Sequence, residues 1–265
     1  GNRTFAIPTG DNDFETDSNV QLHLRDVNGD TRLDVITQRS QGFHVDLNNG
    51  DGTLPARPEF STQANNSDIT SGDIDDDGDI DVLTANYSTG VVSVLLGNGD
   101  GTFAVGPGLD TGLVPLALAL GDVDNDGDLD LVVADVADRS CSYDRMRRYV
   151  CVGVGSVRVL PGNGNGTFGP ATQIATGLVS GSIVLGDLDG DGDLDLIMVN
   201  GDRSYFAGDS ISVLLGTGDG TFGAVLPALA HLTIVEFYVR ASDSGARTRP
   251  WPGPPDGGGT QGATA

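Results

Sequence analysis

Short apolar runs rich in Val, Leu and Ile alternate along the chain with Gly- and Asp-rich stretches, and no window carries convincing helical periodicity. Two kinds of punctuation separate the runs. One is acidic, as in Gly121-Asp122-Val123-Asp124-Asn125-Asp126-Gly127-Asp128-Leu129-Asp130, which leads into Leu131-Val132-Val133. The other is glycine-rich, as in Asn98-Gly99-Asp100-Gly101-Thr102-Phe103 after the run Val92–Leu96. Asn-Gly and Asp-Gly between β-branched runs signal hairpins, because both turn residues must take positive φ. The pattern predicts strand, acidic loop, strand, connection, strand, glycine-rich turn, strand. In the third unit these strands are expected at Pro115–Gly121, Leu131–Val136, Val157–Leu160 and Thr167–Ile174.

The unit repeats. Acidic loops begin at Asp26, Asp73, Asp122 and Asp187, at spacings of 47, 49 and 65 residues, and the long interval holds an insertion bounded by Cys141 and Cys151. The glycine-rich turn follows in phase each time, after Phe43–Leu47, Val92–Leu96, Val157–Leu160 and Ile211–Leu215. Four antiparallel strands per ~48 residues is the arithmetic of β-propeller blades.

Each loop places carboxylates, or one amide, at positions 1, 3, 5 and 9. A hard dication takes six to eight oxygen ligands, which short Asp side chains supply from a tight turn, so the loops are read as calcium sites. Without an ion the like charges would repel. The side-chain ligands are Asp26, Asn28, Asp30 and Asp34; Asp73, Asp75, Asp77 and Asp81; Asp122, Asp124, Asp126 and Asp130; and Asp187, Asp189, Asp191 and Asp195. Position 7 (Arg32, Asp79, Asp128, Asp193) is assigned through its carbonyl, the one way Arg32 can bind a cation. Position 6 is Gly78, Gly127 and Gly192, free to take a sharp turn, whereas the first loop has Thr31 there and Asn28 at position 3. The first site is therefore expected to be the weakest. An EF-hand is excluded, because its twelfth position needs a bidentate Glu and here is Thr37, Thr84, Val133 and Met198. A dockerin-type loop-helix is excluded by the strand-like Leu131-Val132-Val133 and Leu196-Ile197-Met198.

These units resemble FG-GAP/VCBS repeats, the blades of integrin α-subunit-type β-propellers, over about residues 20–225. The acidic loop is similar to that family's Asp-x-Asp-x-Asp-Gly-x-x-Asp motif, and it recurs in phase with the Gly-Thr-Phe turn. The resemblance implies an all-β propeller of four-stranded antiparallel blades, with about four calcium ions held in hairpins within the blades. It also implies about seven blades in a whole propeller, so the four units are expected to form a fragment or open arc. Gly1-Asn2-Arg3-Thr4-Phe5 matches the late turn of a preceding unit. The expected organisation is an end of a preceding blade at 1–19, repeats at 20–68, 69–114 and 115–180 (the third with its insertion at 138–153), a fourth repeat and the start of a further unit at 181–239, and a disordered tail at 240–265.

Charge sharpens this picture. There are 38 acids against 14 bases, a net charge of −24, and the four loops hold 19 of the acids, so the imbalance mostly describes metal sites. It excludes nucleic acid and anionic membrane surfaces as partners. The most apolar run, Phe222–Val239, is broken by Pro227, His231 and Glu236 and does not insert in a bilayer. The cysteine pair suggests a disulfide clipping a short loop, with free thiols or metal ligation as the alternatives, and together with calcium it favours an extracellular, secreted or cell-surface setting.

A second candidate surface is the insertion, where Arg139, Tyr143, Arg145, Arg147, Arg148 and Tyr149 gather in an otherwise acidic chain. Arg and Tyr suit recognition surfaces; the plain alternative is that these arginines neutralise neighbouring Asp loops. The histidines His23, His44 and His231 are scattered, and no nucleophile elbow or zinc spacing occurs, so no enzyme activity is expected. Sequons stand at Asn2, Asn65, Asn86 and Asn165. The expected function is a calcium-stabilised binding or adhesion module for a protein or glycan. The alternatives are an accessory propeller of a larger secreted enzyme, of polysaccharide lyase or phospholipase type, and a structural spacer.

Overall fold

The computed structural model describes residues 21–39, 41–51, 53–54, 59–62, 65–111, 114–143, 149–175, 180–200 and 210–226. The unit Leu232–Ala265, which includes the tail read at 240–265, lies outside them, as do Arg145, Arg147, Arg148 and the N-terminal turn motif.

Among the described residues every regular element is a strand, and the strands form four antiparallel sheets in sequence order. The first blade is β1 (Leu22–Arg25), β2 (Asp34–Arg39), β3 (Gly42–Asp46) and β4 (Glu59–Ser61). The second is β5 (Asn66–Gly72), β6 (Asp81–Asn86), β7 (Val91–Gly97) and β8 (Phe103–Val105), with a short β9 (Leu109–Asp110) added on β7. The third is β10 (Val114–Gly121), β11 (Asp130–Tyr143), β12 (Tyr149–Leu160) and β13 (Thr172–Ala175). The fourth is β14 (Ser180–Gly186), β15 (Asp195–Asn200), β16 (Ser210–Gly216) and β17 (Phe222–Leu226). These are propeller-type blades.

The core lies between blades, so the inner strands are covered on both faces and read as near-continuous runs rather than alternating ones, as in β6, which is buried at every position. Val27, Ile36, Phe43 and Val45 of the first blade meet Ile69, Val82 and Leu95 of the second. Ile74, Leu83 and Val94 of the second meet Leu118, Leu131 and Val133 of the third, and Val123, Val132 and Val159 of the third meet Ile183, Leu196 and Met198 of the fourth. The turn phenylalanine works across this seam: the Phe103 ring of the second blade lies edge-on to Phe43 and Phe60 of the first, with centroids 5.4 and 5.0 Å away.

The insertion is the main departure from the expected pattern. It does not loop out but continues the β11–β12 ladder from Asp138↔Val154 to Tyr143↔Tyr149, past an irregularity between Val136 and Asp138. These strands therefore run 14 and 12 residues, against 6 and 7 for their counterparts in the second blade. Alternating polar and small residues carried no strong strand signal, yet backbone pairing holds the extension. A hairpin arm thus leaves the third blade at the end opposite its acidic loop. The fourth strand also starts late, at Thr172, because Phe168 makes only an isolated bridge to Gly162.

Candidate metal centres in the acidic loops

Each acidic loop joins the first two strands of a blade, and its fold is written by its own aspartates. The carboxylate at position 1 accepts the backbone N–H of position 6: Thr31 to Asp26 at 2.6 Å, Gly78 to Asp73 at 3.0 Å, Gly127 to Asp122 at 3.1 Å and Gly192 to Asp187 at 3.2 Å. The carboxylate at position 5 accepts the N–H of position 7, at 2.9 Å in Asp30, 2.8 Å in Asp77, 2.9 Å in Asp126 and 3.0 Å in Asp191. Position 6 is left-handed throughout, with φ of 69° at Thr31, 93° at Gly78, 101° at Gly127 and 98° at Gly192. Position 4 is left-handed as well, at Gly29, Asp76, Asn125 and Gly190.

Position 9 is the anchor. Asp34, Asp81, Asp130 and Asp195 are fully buried at the start of the second strand. One oxygen of each accepts the N–H of position 2 (Val27, Ile74, Val123, Leu188), at 2.7–3.0 Å. The other accepts the N–H of Asn48, Gly97, Gly162 or Gly216 at 2.7–2.8 Å, at the entry to the glycine-rich turn. Loop and turn are thereby joined through one side chain in every blade.

The curvature of the loop brings positions 1, 3 and 9 together. Asp73, Asp75 and Asp81 each offer an oxygen within 4.8 Å of the others, as do Asp122, Asp124 and Asp130, and Asp187, Asp189 and Asp195. The position-5 side chain stands outside these groups, turned to the backbone of position 7. In the first loop, position 3 is the amide Asn28, and the Arg32 guanidinium lies 3.0 Å from Asp30 Oδ2, so a built-in cation already takes up part of the charge.

Crowding leaves its mark on protonation. Burial pushes the Asp81 carboxyl up to about 6, although the N–H groups of Ile74 and Gly97 oppose the shift. Burial likewise raises Asp75, Asp124, Asp130 and Asp189, and neighbouring loop carboxylates add to it. In the second loop, Asp73 Oδ1 and Asp75 Oδ1 are buried and accept no hydrogen bond. A buried, unsatisfied anionic oxygen is costly, and a cation satisfies it. An all-oxygen donor set of carboxylates suits a hard ion of the calcium type rather than zinc or copper.

Elsewhere the structure is less forthcoming about the expected sites. Arg139, Cys141, Tyr143, Tyr149 and Cys151 lie on the arm, where the backbone register sets Cys141 opposite Cys151 and Tyr143 opposite Tyr149. The sequon residue Asn86 is fully buried and donates to Val91 O and Ser93 Oγ, so it is closed to modification. A buried pair had no sequence signal: Asp135 of β11 lies 3.1 Å from Arg158 of β12, which also donates to Thr111 O of the second blade.

Three stretches, residues 26–84, 73–133 and 148–198, match the FG-GAP-like repeat. No curated protein matches significantly. Among solved structures the chain resembles an Agrocybe aegerita lectin described as specifically recognising non-reducing terminal N-acetylglucosamine, with a TM-score of 0.51 and 24% identity over 78% of this chain and 52% of that one. It also matches BBS1N from its complex with ARL6DN (TM-score 0.41, 11% identity, 77% of this chain and 55% of that one). A third match is the V. cholerae biofilm matrix protein Bap1 (TM-score 0.34, 16% identity, 78% and 39%). The chain spans about half the length of these proteins or less. Phased acidic loops, glycine-rich turns and stacked four-stranded blades agree with the matched repeats: the chain belongs to the FG-GAP-like repeat family.

Proposed function

We propose that this chain is an extracellular, calcium-stabilised propeller module that binds a protein or glycan and carries no catalytic activity of its own. The carrying observation is the set of three carboxylate groups at loop positions 1, 3 and 9, each with oxygens within 4.8 Å. Calcium is structural in this reading. At millimolar calcium and a dissociation constant of about 10 μM, one site adds about 2.7 kcal/mol to the folded state. The side chains at positions 1, 3 and 9 would hold the ion, and the position-5 carboxylate, one oxygen of which accepts the N–H of position 7, would complete the shell with its other oxygen and the position-7 carbonyl.

The hairpin arm of the third blade is the ligand-binding element in this proposal. Four of the 14 basic residues gather here beside two tyrosines in an acidic chain, and the arm leaves the blade at the end opposite its acidic loop. A disulfide between Cys141 and Cys151 braces it. Directly opposed residues of an antiparallel ladder have Cα atoms about 4.5–5.5 Å apart, inside the range a disulfide spans.

The first test is a thermal melt in 1 mM calcium (~1 mM, as in extracellular fluid) and in excess chelator. A large calcium-dependent rise that disappears in the triple variant D73A/D122A/D187A supports the metal sites; equal melts would overturn them. Glycan-array and pull-down binding by the wild type, lost in R145A/R147A/R148A with the melt unchanged, supports the arm as the ligand surface. Binding that survives in this variant would remove the arm from the proposal.

A further inference from the structure

The position-9 aspartate of one acidic loop and the position-3 aspartate of the loop before it are the two ends of one short bonded path. In the third blade one oxygen of Asp130 accepts the N–H of Gly162 at 2.7 Å, at the entry to the glycine-rich turn. The turn is closed on itself. Asn163 N donates to Thr167 O at 3.1 Å and Asn163 Nδ2 to Thr167 Oγ1 at 3.0 Å, while Thr167 N and Oγ1 donate to Asn165 Oδ1 at 3.1 and 2.6 Å. From the far side of the turn Gly166 N donates to Ile74 O of the second loop at 2.9 Å, and a Cβ at Gly166 would lie 3.5 Å from the Cβ of Asp75. Ile74 stands between the candidate ligands Asp73 and Asp75.

The path repeats one blade on. Asp195 accepts from Gly216 N at 2.8 Å, Thr217 N closes the turn on Thr221 O at 3.2 Å, and Gly220 N donates to Val123 O of the third loop at 3.1 Å. A Cβ at Gly220 would lie 3.4 Å from that of Asp124, the position-3 ligand there. A side-chain bond runs beside it, from Asn125 of the third loop to Asp193 of the fourth at 2.8 Å. A turn cross-bonded in this way moves as a unit. A cation that fixes Asp130 therefore also fixes the backbone that holds Asp73 and Asp75 together against their mutual repulsion.

We propose, resting on the calcium reading of these loops, that neighbouring loops bind calcium cooperatively, with each glycine-rich turn coupling its own loop to the loop before. Occupation of the third loop then tightens the second, and by reciprocity the second tightens the third by the same factor. The field between loops acts in the opposite sense, because an ion in one loop weakens the negative potential that draws an ion to the next. That field is screened within about 8 Å at physiological salt and about 3 Å at 1 M, whereas a path of bonds is not.

The test is a calcium titration followed by ¹⁵N–¹H spectra in about 1 M salt, where charge effects between loops are screened. The amides of Gly78, Gly127 and Gly192 each bond the first aspartate of their own loop, so each reports its own site. Asp122→Ala empties the third loop without touching the path, since Asp122 bonds only within that loop. The midpoints read at Gly78 and Gly192 should then rise about fivefold or more. Combined with Gly166→Val, which spoils the turn, Asp122→Ala should no longer move the Gly78 midpoint, while Gly192 still responds. If Asp122→Ala does not fold, Asp187→Ala replaces it and should raise the Gly127 midpoint. Three amides that ignore calcium overturn the calcium reading itself. Amides that titrate with midpoints indifferent to the neighbouring site leave that reading standing and overturn the coupling, and a Gly78 response that survives Gly166→Val removes the turn as its carrier.

Discussion

The backbone amide of Gly166, in the glycine-rich turn of the third blade, donates to the carbonyl of Ile74 in the acidic loop of the second blade at 2.9 Å. The same bond joins Gly101 to Val27 at 3.0 Å and Gly220 to Val123 at 3.1 Å. The first three loops are therefore each closed from outside by the next blade, at the residue between the first two candidate ligands. The glycine-rich turn of one blade thus helps to shape the candidate metal site of its neighbour.

That coupling predicts the effect of Gly166→Val. Gly166 has a φ of 75°, and an added Cβ would lie 3.2 Å from Leu96 of the second blade. A β-branched residue in the left-handed region costs about 1–2 kcal/mol. Urea unfolding should show a lower midpoint with an unchanged slope. Calcium titration should show one site weakened, and it should be the second blade's, as read by combination with D73A. A defect confined to the third blade's own loop would break the inferred coupling.

Thr31 makes the opposite prediction. It sits at φ 69°, where the other three loops have glycine. Thr31→Gly removes left-handed strain of about 1–2 kcal/mol and adds roughly 0.5–1 kcal/mol of chain entropy in the unfolded state, for a net gain between about 0 and about 1.5 kcal/mol. Chemical denaturation in chelator isolates this effect from metal binding. A destabilised variant would mean that the Thr31 side chain makes a compensating contact.

Much of this site could be read from the chain because its information is local. The left-handed turn at position 6 and the hairpin turns follow from residues a few places apart. The second left-handed residue, at position 4, is equally local: Gly29, Asp76, Asn125 and Gly190 belong to the types that tolerate positive φ. Position 9 was readable as a ligand but not as the bond between loop and turn. Its second partner lies 14 residues on in the first blade and 32 in the third, a distance set by the strand and insertion between them. The Asp135–Arg158 pair was invisible for a similar reason, since it is completed by Thr111 on another blade. The arm reads as a loop in the sequence because its strands are held by register rather than by apolar alternation.

Aspartates at positions 1 and 9 should separate the two roles of the loop. Asp130 is fully buried and accepts from Val123 N and Gly162 N at 2.8 and 2.7 Å. Asp130→Ala strands both donors and should cost roughly 2–6 kcal/mol, with or without calcium. Asp122 is less buried and accepts mainly from its own loop, so Asp122→Ala should cost little in chelator and lose most of that site's calcium-dependent stabilisation. Paired melts of the two variants, each with calcium and with chelator, read the difference directly. Equal costs in both conditions for Asp122→Ala would make position 1 a turn residue rather than a ligand.

Protonation supplies the last prediction, through Asp81. Burial lifts its folded-state carboxyl to about 6 from a usual 3.8. Between those values the metal-free native state holds more protons than the unfolded chain, so this group lowers stability as pH rises through that window. Calcium requires the carboxylate, and its binding in the second loop must release that proton below about pH 6. The calcium-induced rise in melting temperature should therefore be full at about pH 7.5 and shrink by about pH 5, while metal-free stability changes in the opposite direction. Asp81→Asn should flatten both trends for this loop, at the expense of its calcium affinity, and proton release on calcium addition at about pH 5.5, measured in weakly buffered solution, should fall in the variant. If wild type and variant release the same protons, the ion does not engage Asp81, and position 9 acts only as the anchor between loop and turn.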